Sequence, residues 1–203
     1  MELILVRHGE THENHRHRIQ GLLDTELSDL GRRQARAVAY ALRNEPIQAI
    51  YSSPLKRALN TAREVDRLHG VGVQILKGLQ EMDLGRLDGL RWQEVGENYP
   101  DFWRRWLADA ASAQIPGGES LTRVQTRVWA AVEQVLAQGH QGPVVLVSHF
   151  FALLALIFKV LDLPLSEFRR MELGVGSISL LRLEEDRQIL YRVNDTCHLE
   201  GIA

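Results

Sequence analysis

Residues 3–11 read Leu3-Ile4-Leu5-Val6-Arg7-His8-Gly9-Glu10-Thr11, an apolar run that stops at an arginine, a histidine and a glycine. The run predicts a β-strand, and open α/β sheets place their chemistry at the carboxyl edge, where such strands end. A histidine there can act as a nucleophile, a base or a ligand, and the arginine beside it matches phosphate or carboxylate oxygens. The stretch therefore predicts an α/β fold with an anion site after its first strand.

The composition is that of an ordinary soluble protein of 203 residues, with 45% hydrophobic and 25% charged residues and a net charge of −2. This balance argues against a nucleic-acid or membrane partner, which would usually require a basic face, but it allows a local cationic pocket. The most apolar stretch, residues 150–163, is too short to span a bilayer. The first strand starts too early for a signal peptide, and the single cysteine, Cys197, forms no internal disulfide, so we expect a cytoplasmic protein.

Apolar runs alternate with helical patterns along the chain, which predicts a mostly parallel sheet with helices on its faces. We predict strands at residues 2–7, 48–52, 73–76 and 143–148, and a final hairpin of residues 177–184 and 188–193 around Glu185-Asp186-Arg187. We predict helices at residues 28–43, 53–68, 119–138, 150–161 and 166–172, the second with Pro54 at its first position. The expected fold is a three-layer α/β/α sandwich in one domain over residues 1–203.

Residues 78–118 interrupt this alternation and hold three of the four tryptophans. We interpret the segment as a helical insertion that covers the carboxyl edge of the sheet. Trp103 lies at helical spacing from other aromatic residues, which is more typical of a core position. A role in a substrate wall stays open for it, because the insertion should overlie the site.

Three basic residues follow predicted strands at one edge of the sheet: His8, Arg57 and His149. Because parallel strands end at the same edge, we expect these side chains to converge. The start of the helix that contains Arg57 offers amide groups and a positive dipole end, which favour an anion. With Arg7 they describe a pocket for a dianion, and phosphate is the leading candidate.

These residues belong to motifs that recur in a fixed order over nearly the whole chain. The motifs are Leu5-Val6-Arg7-His8-Gly9-Glu10-Thr11, Leu27-Ser28-Asp29-Leu30-Gly31, Ser52-Ser53-Pro54-Leu55-Lys56-Arg57-Ala58, Leu79-Gln80-Glu81-Met82-Asp83-Leu84-Gly85, Pro116-Gly117-Gly118-Glu119-Ser120, Val147-Ser148-His149 and Asn194-Asp195-Thr196-Cys197-His198. The ordered set resembles the histidine phosphatase superfamily, in its phosphoglycerate-mutase-like branch. In length the chain is similar to the short phosphatases, such as α-ribazole phosphatases and broad-specificity phosphatases.

The resemblance implies a metal-independent phosphomonoester hydrolase that needs no cofactor and works through a phosphohistidine. It implies catalytic roles for His8 as the nucleophile, Glu81 as the acid and then the base, and His149. It also implies phosphate contacts from Arg7, Asn14, Gln20, Gly21 and Arg57. The expected partner is a small-molecule phosphate ester, and a homodimer is left open.

Two other functions stay open beside hydrolysis. Phosphoglycerate mutases typically follow the catalytic glutamate with arginine and then a tyrosine-glycine pair, whereas Glu81 here precedes Met82 and Asp83. A mutase also needs a second anion site for its bisphosphorylated intermediate, and the sequence offers none clearly. A catalytically silent module that binds phosphorylated ligands is the alternative from another class, and the full set of catalytic residue types speaks against it.

Several expectations concern single residues. His12, His15 and His17 have a spacing that could attract zinc, although we expect no metal site there. Phe150 stands where the family usually has glycine, so it either narrows the pocket or provides an apolar substrate wall. We expect nearby arginines to depress the pKa of Glu81. We also expect His149 to be a hydrogen-bond donor or a cation whose titration differs from that of His8.

Overall fold

The computed structural model describes residues 1–184 and 186–202, and within them six strands form one sheet. The strands are β1 Glu2–Arg7, β2 Ala49–Ser52, β3 Val73–Ile75, β4 Val144–Ser148, β5 Ile178–Leu183 and β6 Gln188–Asp195. Their order is β3-β2-β4-β1-β5-β6; the first four are parallel, and β5 pairs antiparallel with both β1 and β6. The prediction of a mostly parallel sheet is confirmed. Glu185, in the predicted hairpin turn, lies outside the described residues.

Seven α-helices connect or flank these strands in the described part of the chain. They are α1 His12–His15, α2 Asp29–Leu42, α3 Lys56–His69, α4 Trp92–Asn98, α5 Pro100–Ala108, α6 Leu121–Leu136 and α7 Phe150–Val160. Short 3-10 helices lie at Lys77–Leu79, Gly85–Leu87, Leu165–Arg170 and Cys197–Leu199. The helix predicted near residues 166–172 is therefore a 3-10 helix rather than an α-helix.

The sheet is covered on both faces, as its apolar strands require. Successive side chains of a strand point to opposite faces. Leu3 and Leu5 of β1 join one buried cluster with α6 and α7, whereas Ile4 and Val6 join another with α2 and α3. The three-layer arrangement predicted from the sequence is confirmed, and both layers position the carboxyl edge of the sheet.

Helix α3 begins two residues later than predicted, because Pro54 belongs to a turn and not to the helix. The hydroxyl of Ser53 accepts a hydrogen bond from the amide of Leu55 at 3.2 Å, and Leu55 keeps an extended backbone as the N-cap. The first helical amide, that of Lys56, donates to Asp24 at 2.7 Å. A carboxylate of the chain itself therefore takes this amide, and anion binding by the rest of the helix start stays a prediction.

Residues 78–118 contain the second 3-10 helix, α4 and α5, which lie beside the carboxyl edge. Phe102 and Trp106 of α5 are buried in the same cluster as β1 and β4. The extent of one domain over residues 1–203 stays a prediction. Among the described residues, no helix is both long and apolar enough to cross a membrane.

Candidate active site

His8 lies directly after β1, at the carboxyl edge, and is 3% exposed. Its Nδ1 lies 2.7 Å from the carbonyl oxygen of Gly9, which can only accept, so Nδ1 carries the proton of the neutral ring and Nε2 carries the lone pair. Burial lowers the pKa of His8 well below 6.5, and the charges of Arg57 and Arg7 lower it further. The ring is therefore a neutral imidazole with a free basic nitrogen.

His149 lies directly after β4 and caps α7, with its ring centre 5.1 Å from that of His8. Its Nε2 is 2.7 Å from the hydroxyl of Ser53. A serine hydroxyl can donate and accept at the same time, so this contact is compatible with a proton on either ring nitrogen, and within the described residues the buried Nδ1 of His149 has no hydrogen-bond partner. Burial also lowers the pKa of His149 well below 6.5, as do Arg57 and His8, so the expectation of a cationic His149 is wrong for the free protein.

Arg7 and Arg57 bring two largely buried guanidinium groups to the histidines. Arg57 is fully buried and donates to the carbonyl oxygens of Gly21 at 2.8 Å and Leu23 at 2.7 Å, and Arg7 donates to that of Leu173. Within residues 1–184 and 186–202, the buried Nε atoms of both have no hydrogen-bond partner. Burial lowers the pKa of Arg7 to about 10, with Glu81 opposing and Arg57 adding to the shift. Paired buried cations with unused donors suit a multiply charged anion.

Asn14 and Gln20 are oriented by Thr11, the N-cap of α1. The hydroxyl of Thr11 lies 2.9 Å from Oδ1 of Asn14 and 3.0 Å from Oε1 of Gln20. The hydroxyl of Thr25 lies 2.7 Å from the same Gln20 oxygen. Oδ1 of Asn14 also accepts from the amide of Thr11 at 3.0 Å, and Oε1 of Gln20 accepts from Thr25, so each amide group presents its NH₂ as the group available to a ligand. Nε2 of Gln20 is buried and has no partner in the described chain.

Gly21 supports the site in a way that the sequence did not indicate. Its amide donates to Asp88 at 2.8 Å, and its carbonyl oxygen accepts from Arg57. With both backbone groups used, Gly21 positions Arg57 and does not itself offer a donor to phosphate, which corrects the predicted contact. A side chain here would also meet the backbone of Met82 at 2.6 Å, so this close approach requires glycine.

Glu81 is a buried carboxyl group, 4% exposed, at the start of the insertion. Its Oε1 accepts from the amide of Met82 at 2.8 Å and from that of Phe151, in the first turn of α7, at 3.1 Å. Burial raises the pKa of Glu81, while these amides and the charges of Arg57 and Arg7 lower it only in part. The expected depression of this pKa is therefore wrong: loss of solvation outweighs the arginines.

A salt bridge between Arg127 of α6 and Glu119 braces the segment that carries Glu81. The two side chains make a bidentate pair, with both N–O distances at 2.8 Å. Arg127 also donates to the carbonyl oxygens of Gly78, Gln80 and Glu81, and Glu119 accepts from the amide of Asp83. The motif around Glu119 does not by itself indicate this salt bridge. Arg127 lies on the helix that follows the motif, and no sequence pattern marks it as the partner of Glu119.

A cavity of about 520 Å³ opens beside His8. Of the predicted site residues, its lining includes Arg7, His8, Asn14, Gln20, Glu81, Trp103 and Phe150. Arg57, His149 and Gly21 are not among the lining residues, but the ring of His149 lies 5.1 Å from that of His8, and Arg57 is bonded to Gly21. The lining also includes Trp106 and Phe151, which the sequence offered as possible wall residues beside Trp103 and Phe150, and Trp92 and Phe168, which sequence reasoning missed.

The histidine cluster of residues 12–17 stands apart from this geometry. His12, His15 and His17 are exposed on and after α1. In the described part of the chain, no group of three or more His, Cys, Asp or Glu side chains is arranged to hold a metal ion.

Two aspartates near Glu81 bond to the backbone of loops. Asp83 accepts a hydrogen bond from the amide of Gly85, and Asp88 accepts from the amides of Gly21 and Leu23.

The chain is similar to known proteins over nearly its whole length. A profile of the histidine phosphatase superfamily (branch 1) matches residues 3–196. The chain is 38% identical over 199 residues to phosphoserine phosphatase 1 of Hydrogenobacter thermophilus, covering 98% of this chain and 94% of that protein. It is 33% identical over 207 residues to a metal-independent phosphoserine phosphatase of Arabidopsis thaliana, covering 100% and 84%. A solved mycobacterial glucosyl-3-phosphoglycerate phosphatase matches with a TM-score of 0.88 and 34% identity, over 96% and 99% of the two chains.

Proposed function

The chain belongs to the histidine phosphatase superfamily (branch 1) and is a phosphomonoester hydrolase of that type, and we propose that His8 accepts the phosphoryl group in its reaction. The observation that carries this proposal is the state of the His8 ring. Nδ1 donates to the oxygen of Gly9, and the lowered pKa leaves the lone pair of Nε2 free near neutral pH. A neutral imidazole in this state is a competent nucleophile.

In the first step, the lone pair of His8 Nε2 forms a bond to phosphorus while the bond between phosphorus and the ester oxygen breaks. Glu81 gives its proton to the leaving oxygen, so a neutral alcohol departs and Glu81 becomes a carboxylate. The raised pKa of Glu81 supports this assignment, because an acid catalyst must hold its proton near the working pH.

In the second step, water attacks the phosphorus of the phosphohistidine, and the N–P electron pair returns to Nε2. Glu81 takes the proton of the attacking water, so both side chains return to their initial states and inorganic phosphate leaves. One displacement is thus divided into two, with one carboxyl group serving as acid and then as base.

Fixed donors of the chain supply the positive potential that phosphoryl transfer needs. Arg7 and Arg57 contribute two full charges, and the ring of His149 and the NH₂ groups of Asn14 and Gln20 add hydrogen bonds to the phosphoryl oxygens. Such preorganised groups stabilise the charge of the transferring group, as metal ions do in other phosphoryl transferases. The reaction that follows is metal-independent.

Hydrolysis is favoured over phosphoglycerate mutation by two curated relatives, which are named phosphoserine phosphatases. A mutase would also need cations for the second phosphate of its intermediate. Of the other arginines that line the cavity, Arg18 lies 3.9 Å from Glu13 and donates to the carbonyl oxygen of Gly89, and Arg169 donates to that of Trp106.

The test is rapid quench of the enzyme with a ³²P-labelled ester in the presence of a chelator. We expect an acid-labile, alkali-stable phosphoryl adduct that is absent in His8→Asn, followed by release of phosphate and not by isomerised phosphoglycerate. Strict dependence on a divalent cation would contradict the mechanism. Tight ester binding with no adduct and no turnover would support a silent binding module instead.

The setting of this activity is also part of the proposal. The single exposed cysteine, Cys197, and the net charge of −2 support a cytoplasmic enzyme that acts on small phosphate esters and not on nucleic acid. Whether two copies associate stays a prediction, and light scattering of the purified chain measures it directly.

A further inference from the structure

We propose that the preferred substrate is a phosphate monoester of an alcohol that carries a planar, apolar group, which stacks in an aromatic chamber next to His8. The inference rests on the phosphatase activity proposed above and names its leaving group. The aromatic chamber consists of Trp92, Trp103, Trp106, Phe150, Phe151 and Phe168, all of which line the cavity that contains His8 and Glu81.

The rings of the aromatic chamber form a continuous wall. Trp106 is stacked on Trp92 at 6.1 Å and meets Phe151 and Phe168 edge-on at 6.1 and 5.4 Å. Trp103 lies 5.7 Å from Trp92. These separations lie within the range of favourable aromatic contacts, so the rings support one another and keep their positions when a ligand adds another ring.

Phe150 connects this wall to the phosphate site. It follows His149 directly, and its ring centre lies 5.3 Å from the guanidinium carbon of Arg7 and 5.1 Å from the ring of Phe151. A phosphoryl group held by Arg7 therefore has its leaving oxygen at the entrance of the aromatic chamber. The bulk that replaces the usual glycine at this position extends the apolar wall up to the reacting atoms.

The size and charge of the cavity argue against a small hydroxy acid as the leaving group. Its volume of about 520 Å³ is in the range of sites for drug-sized ligands, which serine or glycerate would leave mostly unfilled. At the mouth, Arg169 donates to the carbonyl oxygen of Trp106, and the exposed carboxylate of Glu172 would repel a substrate carboxylate. A charged group placed against the rings would lose solvation, and the Arg18 and Arg169 side chains that line the cavity are also bonded to carbonyl oxygens of the chain.

The experiment compares kcat/KM for 2-phenylethyl phosphate and ethyl phosphate, whose leaving alcohols have similar acidity. We expect a preference of at least about tenfold for the phenylethyl ester, since stacking and apolar burial together supply about 1.4 kcal/mol or more. O-phosphoserine and 3-phosphoglycerate are measured beside them. A phenylethyl-to-ethyl ratio near one, or a higher kcat/KM for either hydroxy-acid ester, overturns the proposal.

Variants locate the preference in the aromatic chamber. Trp103→Leu should reduce the phenylethyl-to-ethyl ratio several-fold, and Trp103→Phe, which keeps a ring, should retain most of it. Trp129→Leu is the matched control, because Trp129 is partly buried on α6 and does not line the cavity. An unchanged ratio in Trp103→Leu, or an equal loss in Trp129→Leu, contradicts the proposal. Failure of the enzyme to form a phosphohistidine with any ester would instead contradict the proposed function, so the two failures are distinct.

Discussion

At the scale of single residues, Glu81 shows burial and charge acting in opposite directions on one carboxyl group. The sequence shows that arginines lie near Glu81 and therefore predicts a low pKa for this carboxyl group. The structure adds the loss of solvation, which the sequence does not display, and this reverses the direction of the shift. A carboxyl group whose pKa is raised beside two arginines is better suited to protonating an oxyanion as it leaves than a fully solvated one.

Glu81→Gln is therefore expected to separate substrates by their leaving group. It should lower kcat/KM by about 100-fold or more for ethyl phosphate, whose alkoxide needs a proton, and far less for 4-nitrophenyl phosphate, whose phenolate does not. The parameter kcat/KM is chosen because it reports transfer to His8 and not the later hydrolysis, where Glu81 acts again. An equal loss on both esters would assign Glu81 a structural role.

At the scale of structural elements, helix α6 positions the acid without contacting the reaction. Arg127 is bidentate to Glu119, and together they fix the carbonyl groups of Gly78, Gln80 and Glu81 and the amide of Asp83. The backbone before Glu81 and the backbone after it are thus both hydrogen-bonded to this Arg127–Glu119 pair, and Arg127 belongs to helix α6. A lysine in place of Arg127 could make one of these contacts but not the two parallel hydrogen bonds to Glu119.

Arg127→Lys should consequently resemble a weak form of Glu81→Gln. We expect kcat/KM for ethyl phosphate to fall about tenfold, with a smaller effect on 4-nitrophenyl phosphate, because a displaced acid matters most when the leaving group needs its proton. Arg123→Lys, an exposed change one turn earlier on α6, is the control and should affect neither ester. If Arg127→Lys lowers both rates in proportion to a lower unfolding midpoint, the brace serves stability alone.

Elements that depend on local sequence signals were predicted well, whereas features that depend on contacts between distant residues were not. The unbroken apolar run of β4 and the capping serine of α2 are local signals, and both elements form close to their predicted bounds. The start of α3 lies later than predicted, where the amide of Lys56 donates to Asp24, which is 32 residues away in sequence. The aromatic chamber combines α4, α5, α7 and the 3-10 helix Leu165–Arg170, so its contacts depend on tertiary packing and could not be read from spacing.

At the scale of the whole molecule, the buried site makes stability depend on pH. The pKa values of His8 and His149 are lowered well below 6.5 in the folded protein, chiefly by burial. Below about pH 6.5 the two histidines therefore bind protons in the unfolded chain but not in the folded chain. The free energy of unfolding consequently decreases as the pH is lowered. Glu81 acts in the opposite direction, because its raised pKa makes the folded state the better proton acceptor above the ordinary value of 4.5.

We expect the two histidines to dominate this balance between about pH 7.5 and about pH 5.5. Each contributes a loss of up to about 1.4 kcal/mol per pH unit once the pH lies below its unfolded pKa, and the stabilising effect of the neutral rings is fully present only above that pKa. Urea unfolding at several pH values measures the slope. A His8→Asn/His149→Asn double variant should flatten it, whereas His12→Asn, at an exposed position on α1, should leave it unchanged. A slope that persists in the double variant would show that other groups, and not the paired active-site rings, couple folding of this enzyme to protons.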